Sequence, residues 1–312
     1  TMFLAPPRNW LLEEAQSSPR SPQSPQQSSP RRERQRKEPE FVRILRRVEA
    51  TELFDLEASP VANAVPAIDW TTVKPDLSRG EGRLPRDRTE RKRDQILNVS
   101  ASVDRLAPRG ATVVDFCCGL GHQSALLAEM RPDLRLILVD RDQATLDLAR
   151  KRTNASSKNN VSFVRSAVAD FDGPPFDVGL ALHACGSASD DVIDKCLQYD
   201  ASFVVCPCCL GKVATEGRQR KKALPRSRKL RQIVDSEDSF RFLVRAADTH
   251  HYNGDATRRK CKTLLALDRL TAAEETAPHY HTSLVRMTPP TATPKNDILI
   301  GRSNRQGERT NT

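Results

Sequence analysis

The sequence lacks the marks of a membrane or secreted protein. No run of about 18 apolar residues occurs, so no transmembrane helix is expected. The start is short of an apolar core and soon becomes proline-rich, so no secretory signal is evident. The eight cysteines are not set at disulfide-framework spacings. Reduced thiols in an intracellular compartment, cytoplasmic with the nucleus left open, are the expectation. Aromatic residues are few, 5% of the chain, and none lies in its most basic stretch, Lys212 to Arg231. Recognition there by base stacking is therefore unsupported.

What is present divides the chain unevenly. Residues 1–58 include a Ser, Pro and Gln stretch from Ser17 to Ser29 and a basic run from Arg31 to Lys37. They bury too little apolar surface to offset chain entropy and are expected to be a disordered linker, with a short helix between Phe41 and Leu56. Residues 59–302 are long enough for one well-buried core, and 303–312 read as a disordered tail. The formal charge is +10. Nine basic residues and one acid, Glu216, lie between Lys212 and Arg231, a segment fitted to attract phosphates such as those of RNA. A solvated, flexible insertion would show the same run.

The most informative stretch is Thr112-Val113-Val114-Asp115-Phe116-Cys117-Cys118-Gly119-Leu120-Gly121. A β-branched run ends near an acid, and a Gly-x-Gly turn follows, as in a nucleotide-binding strand–loop–helix. Asp115, four residues before Gly119, can receive a ligand ammonium or hydrogen-bond the loop. Leu126, Leu127 and Met130 share one helical face. Leu136 to Val139 reads as a second strand ending at Asp140, placed to hold ribose hydroxyls, with Arg141 beside it. Asp142 has the position of an N-cap for the helix through Leu148. Val161–Val164, Asp177–Leu182 and Ala201–Cys206 continue the strands, Val192 to Leu197 a helix, and Arg258–Thr276 a later one. Leu284–Met287 and Ile298–Ile300 close the sheet around Pro289, Pro290 and Pro294. The alternation predicts an α/β doubly wound sheet, mostly parallel with an antiparallel hairpin at its end, binding ligands at the carboxyl ends of its strands.

His183-Ala184-Cys185-Gly186 with Asp190 follows the fourth strand, and Cys206-Pro207-Cys208-Cys209 the fifth. Together with Asp115 to His122 and Pro294-Lys295-Asn296-Asp297, these motifs resemble the methyltransferase domain of the glutathione S-transferase C-terminal-domain-containing protein family, and more distantly the tRNA 2′-O-methyltransferases. The likeness runs from about Ala64 to Arg302. It implies a Class I methyltransferase fold with S-adenosylmethionine as cofactor, held by Asp115, Cys117, Gly119, Gly121, Asp140, Arg141, Ala167, Val168 and His183. Cys117 stands where the common loop has its first glycine, a substitution usual in this family. Ala167 stands where an acid or amide often meets the adenine edge, with Asp170 the next acid.

Two chemistries remain open for the acceptor. His183, at the tip of a strand, could take or guide a proton near neutral pH, or only support its loop. Cys185 with Cys206 or Cys208 could supply the thiols of a covalent route. Cys206, Cys208 and Cys209 with Cys185 or His183 would offer soft ligands, but adjacent cysteines do not repeat a Cys-x-x-Cys knuckle, so no metal is expected. His250, His251, His279 and His281 show no convincing partners. The reading is a methyltransferase with RNA as the favoured substrate. The rivals are a protein or small-molecule methyltransferase, and an inactive fold that binds nucleic acid or a partner protein.

Overall fold

Strand β2 (Thr112–Phe116) is buried along its whole length. Its side chains divide between two hydrophobic clusters: Val113 joins one, and Val114 and Phe116 join the other. A strand buried on both faces belongs at the centre of a sheet covered on both sides, and β2 lies there. The structure, a computed structural model, describes residues 38–56, 61–68, 70, 86–153, 160–208, 210, 223–248 and 255–304.

Among these residues the strands form one sheet. The others are β1 (Val61–Ala62), β3 (Arg135–Asp140), β4 (Val161–Arg165), β5 (Val178–Ala181), β6 (Ser202–Val205), β7 (Tyr280–Arg286) and β8 (Asp297–Ser303). Their order is β1-β7-β8-β6-β5-β2-β3-β4. Strands β2 to β6 pair in parallel, and β8 runs antiparallel to both neighbours, β6 and β7. The order reverses between β2 and β5, and in sheets of this kind ligands bind at the carboxyl ends of the strands beside such a reversal. The closing strands are longer than the apolar runs alone suggested, because β7 begins at Tyr280, whose hydroxyl donates to the carbonyls of Cys196 and Ala201.

The helices are α1 (Glu40–Glu49), α2 (Arg86–Leu106), α3 (His122–Met130), α4 (Gln143–Arg152), α5 (Ala188–Gln198), α6 (Arg228–Arg231), α7 (Glu237–Ala247) and α8 (Ala256–Thr276). Apolar residues of α2, α3 and α4 fill the first cluster with Leu136, Leu138, Val178 and Leu180. The second is packed by Val192, Ile193 and Cys196 of α5 and Ala266, Leu270 and Ala273 of α8. Phe116, Phe171 and Phe176 meet edge to face at its centre. Helix α2 carries no obvious sequence signal, since its first turns are charged and only its later half, from Ile96 to Val103, enters the core.

The short helix expected between Phe41 and Leu56 forms as α1, but not in a linker. Ile44, Leu45 and Val48 are buried with Leu230, Phe240, Leu243, Leu264 and Leu265, in a third cluster shared with α6, α7 and α8. The packed module thus begins before residue 59. The stretches Ser17–Ser29, Arg31–Lys37 and 305–312 lie outside the described residues, as do Lys212 to Lys222.

Candidate functional site

The loop after β2 is shaped by backbone that L side chains rarely adopt. Cys117 has φ 54°, Gly119 φ 52° and Gly121 φ 72°. The position where the common loop carries its first glycine thus keeps a glycine-like conformation with cysteine in place. The two glycines serve different ends. A Cβ on Gly121 would stand 2.9 Å from the Ala149 Cβ, so its absence lets α3 approach α4. A Cβ on Gly119 would meet nothing within 4 Å, so the loop faces open space there.

One acid secures this loop. The Gly119 amide donates to Asp140 Oδ2 at 3.0 Å, and the Asp142 amide to Asp140 Oδ1 at 3.0 Å. Each oxygen retains acceptor capacity for a ligand hydroxyl. Asp142 caps α4 through the Ala144 amide, as its sequence position indicated. Asp115 does not bond the loop. Its Oδ2 accepts from Ser124 Oγ at 2.6 Å, and the residue is 3% exposed. Burial, with a smaller contribution from Asp140, raises its carboxyl to about 7 despite the serine hydrogen bond. Across the edge, the Ser166 amide bonds the Asp140 carbonyl, which sets exposed Ala167 and buried Val168 beside the same acid. Arg141 is exposed, and its carbonyl accepts from Arg165 Nε. Asp170 is exposed, and its amide bonds the Ala167 carbonyl.

The exits of β5 and β6 carry the reactive side chains. His183 is exposed, yet the surrounding protein and the charge of Lys92 hold its imidazole below the usual histidine range. Lys92 of α2 and His122 at the start of α3 complete a group the sequence reading missed. Lys92 Nζ lies 3.5 Å from His122 Nε2. Burial, then Lys92, Arg152 and His183, push His122 down to about 3. The only local signal for His122 was its place directly after the glycine loop, and for Lys92 there was none.

The cysteines separate by depth. Cys206 is 2% exposed and belongs to the hydrophobic core, where burial pushes its thiol well up. It is a packing residue, which corrects its place among candidate nucleophiles. Cys185 and Cys208 are half-buried, with their sulfurs 3.1 Å apart. Cys117 is half-buried as well, and burial followed by Asp140 and Asp115 raises it to about 12. Cys209 lies outside the described residues.

Two further motif acids are structural. Asp190 accepts from buried Arg269 Nε at 2.9 Å and joins α5 to α8. Asp297 lies 3.1 Å from Lys262 Nζ and 3.6 Å from Arg286 Nε. His279, expected to lack a partner, has Asp200 Oδ1 at 2.6 Å from its Nε2. The two are far apart in sequence, so no local pattern announced the pair. His281 is exposed, and His250 and His251 lie outside the described residues. The described end of the basic segment is anchored rather than loose: Arg226 pairs with Asp194 at 2.5 Å, Arg228 with Glu275 at 3.5 Å, and Leu230 is buried.

Residues 91–216 match the family described as a methyltransferase domain. The glutathione S-transferase C-terminal domain-containing protein homolog of Drosophila melanogaster is 34% identical over 243 residues, 75% of this chain and 40% of that protein. The human glutathione S-transferase C-terminal domain-containing protein is 34% identical over 238 residues, 75% of this chain and 36% of that protein. The chain thus spans about two-fifths of the length of these relatives. Among solved structures, the methyltransferase domain of bacterial CtHen1-CN aligns with a TM-score of 0.41 at 12% identity, covering 68% of this chain and 99% of that one. Residues 91–216 thus carry a methyltransferase domain of the kind found in these relatives.

Proposed function

We propose that the chain transfers a methyl group from S-adenosylmethionine to an acceptor in RNA. The observation that carries the cofactor part is the ridge along the carboxyl ends of β2, β3 and β4. There an open-faced glycine loop, Asp115, Asp140 and the Ala167–Val168 backbone come from the ends of three adjacent strands. These groups suit the parts of the cofactor. Asp140 keeps lone pairs for ribose hydroxyls. Asp115 offers a carboxyl to the amino-acid ammonium. Val168 gives an apolar contact near the adenine, and Arg141 borders the same edge. When bound, the cofactor supplies a sulfonium methyl that needs little more than an aligned nucleophile.

The protein's part on the acceptor side falls to His183. A neutral imidazole at physiological pH can take the proton of a hydroxyl or ring N–H as the acceptor attacks. Burial, with a smaller contribution from Lys92, keeps that imidazole neutral, and Lys92 draws anionic groups toward the mouth. RNA is favoured as acceptor by this cation, by the net charge of +10 and by the basic segment Lys212–Arg231, although Arg226 and Arg228 spend part of their charge on Asp194 and Glu275. The test incubates the purified chain with methyl-labelled cofactor and separated RNA, protein and small-molecule fractions of a cell extract. Label in RNA, lost with His183→Gln, is the expected result. Label in protein or small molecules alone rejects the RNA part. No calorimetric binding of S-adenosylmethionine by the folded chain rejects the whole reading.

A further inference from the structure

The thiols of Cys185 and Cys208 are brought together by strands that meet only in the folded protein. Cys185 lies four residues beyond β5, and Cys208 three beyond β6. The two strands pair in parallel from Val178 with Ser202 to Ala181 with Val205, so their exits leave the sheet side by side. The sulfurs lie 3.1 Å apart. Both residues are half-buried, so a small oxidant has access while bulk solvent is limited. Among the described residues the other cysteines nearby are unlike them: Cys206 and Cys118 are buried, and Cys117 has a thiol raised to about 12. Reactivity toward oxidants follows thiolate character and access. The exit pair has the access, and its two sulfurs face each other.

We propose that Cys185 and Cys208 form a reversible disulfide under a peroxide oxidant, a redox site at the acceptor side of the mouth. One thiolate attacks a peroxide oxygen, the O–O bond breaks, and a sulfenic acid and hydroxide form, the hydroxide becoming one water with the proton the thiol released. The second thiolate attacks that sulfur, the S–S bond forms, and the oxygen leaves as a second water after taking up a proton. Two thiols are oxidised by two electrons in total, and hydrogen peroxide is reduced to two waters. A dithiol reductant reverses the bond by exchange. The bridge ties the loop that carries His183 to the β6 exit. Its consequence for methyl transfer rests on the function proposed above, but its formation does not.

The test treats the full chain with hydrogen peroxide, blocks the remaining thiols with iodoacetamide and maps linked peptides by non-reducing mass spectrometry. A peptide joining Cys185 to Cys208, abolished by dithiothreitol and accompanied by loss of two titratable thiols per chain, is expected. Cys185→Ser and Cys208→Ser each remove that peptide, whereas Cys209→Ser and Cys117→Ser keep it. Unchanged melting curves for the serine variants show that they fold. Independent alkylation of both thiols after peroxide overturns the proposal, as does a bridge joining either thiol to another cysteine, or terminal oxidation of one thiol without a link. Where the reduced chain methylates, the oxidised chain is expected to lose at least tenfold in rate and to regain it with reductant. An oxidised, bridged chain at full rate overturns the regulatory part. A chain inactive in both states counts against the methyl-transfer reading, and the peptide map still decides the disulfide.

Discussion

Along the carboxyl edge of the sheet, β2 to β4 and β5 to β6 are built from different materials. On the first side, backbone dominates: a loop at positive φ, amides donated to Asp140, and a glycine whose missing Cβ leaves open space. On the second, the working groups are side chains from separate parts of the chain: His183, Lys92, His122, Cys185 and Cys208. Backbone geometry is imposed by the residue that must tolerate it, so it leaves a local trace in sequence. Side-chain clusters drawn from distant segments leave at most separate motifs, with nothing to show which of them meet. The same contrast sets how each side should fail: the first through shape, the second through charge and proton transfer.

The sharpest separation lies within the loop. Gly121→Val adds left-handed strain of about 1–3 kcal/mol and overlap with Ala149 of about 1–3 kcal/mol, so chemical denaturation should report a loss of both together. Gly119→Arg should cost only the backbone strain of about 1–2 kcal/mol. Its side chain enters the open space, and calorimetry should show cofactor affinity reduced more than a hundredfold, about 3 kcal/mol. Equal stability losses in the two variants would undo the distinction between a packing glycine and a pocket glycine.

Asp190→Ala tests the opposite boundary. It sits in a motif at the acceptor side, yet its partner is buried Arg269. Removing one member of a buried pair costs about 3–5 kcal/mol, which should appear in the melting transition while cofactor affinity per folded molecule stays unchanged. His183→Gln should do the reverse. It should lower kcat about a hundredfold, within the range for a lost general base, with stability and the KM for cofactor intact. The depressed imidazole also implies that wild-type kcat at saturating cofactor stays level as pH falls into the usual histidine range, because the base remains unprotonated there. A break at the ordinary histidine value would place the proton elsewhere.

This contrast explains what the sequence alone could convey. The loop, Asp140 at the end of β3 and the Asp142 cap are encoded within a few residues, and the β/α alternation has a clear period, so the sheet and the glycine loop were legible. Helix α2 was not, because its charged first half masks the apolar stripe that begins at Ile96. Lys92 and His122 meet only through that helix. Cys206 and Cys208 look equivalent on paper, yet one enters the core and the other stays at the mouth. Asp190 and His279 have their partners in Arg269 and Asp200, each 79 residues away, beyond any local pattern.

On the cofactor side, one electrostatic effect should modulate affinity by a smaller factor. Asp115 is raised by burial to about 7, above its value in the unfolded chain. The folded protein therefore holds this proton where the unfolded chain has lost it. The stability it contributes is complete in acid and is lost as pH rises toward 7. A bound ammonium favours the ionised form, so the increase in melting temperature produced by S-adenosylmethionine should grow between pH 6 and pH 8, with affinity changing by up to about tenfold per unit below 7. Asp115→Asn should flatten both trends. An unaltered pH dependence in that variant would remove Asp115 from the ammonium site.

The smallest expected effect concerns the acceptor side's long-range charge. Arg228 and Lys229 are exposed on α6, Arg228 beside Glu275, and Arg226 is more deeply held against Asp194. Reversing Lys221, Lys222, Arg228 and Lys229 to Glu should weaken RNA retention severalfold at moderate salt. For each single-strand phosphate that the variant no longer neutralises, the slope of log affinity against log salt should also fall by about 0.7. Cofactor binding should not move, because the proposed cofactor ridge is built from backbone and from acids of β2 and β3. Reversal that leaves the salt slope intact would separate this segment from RNA and leave Lys92, at the mouth itself, as the cation that attracts the acceptor.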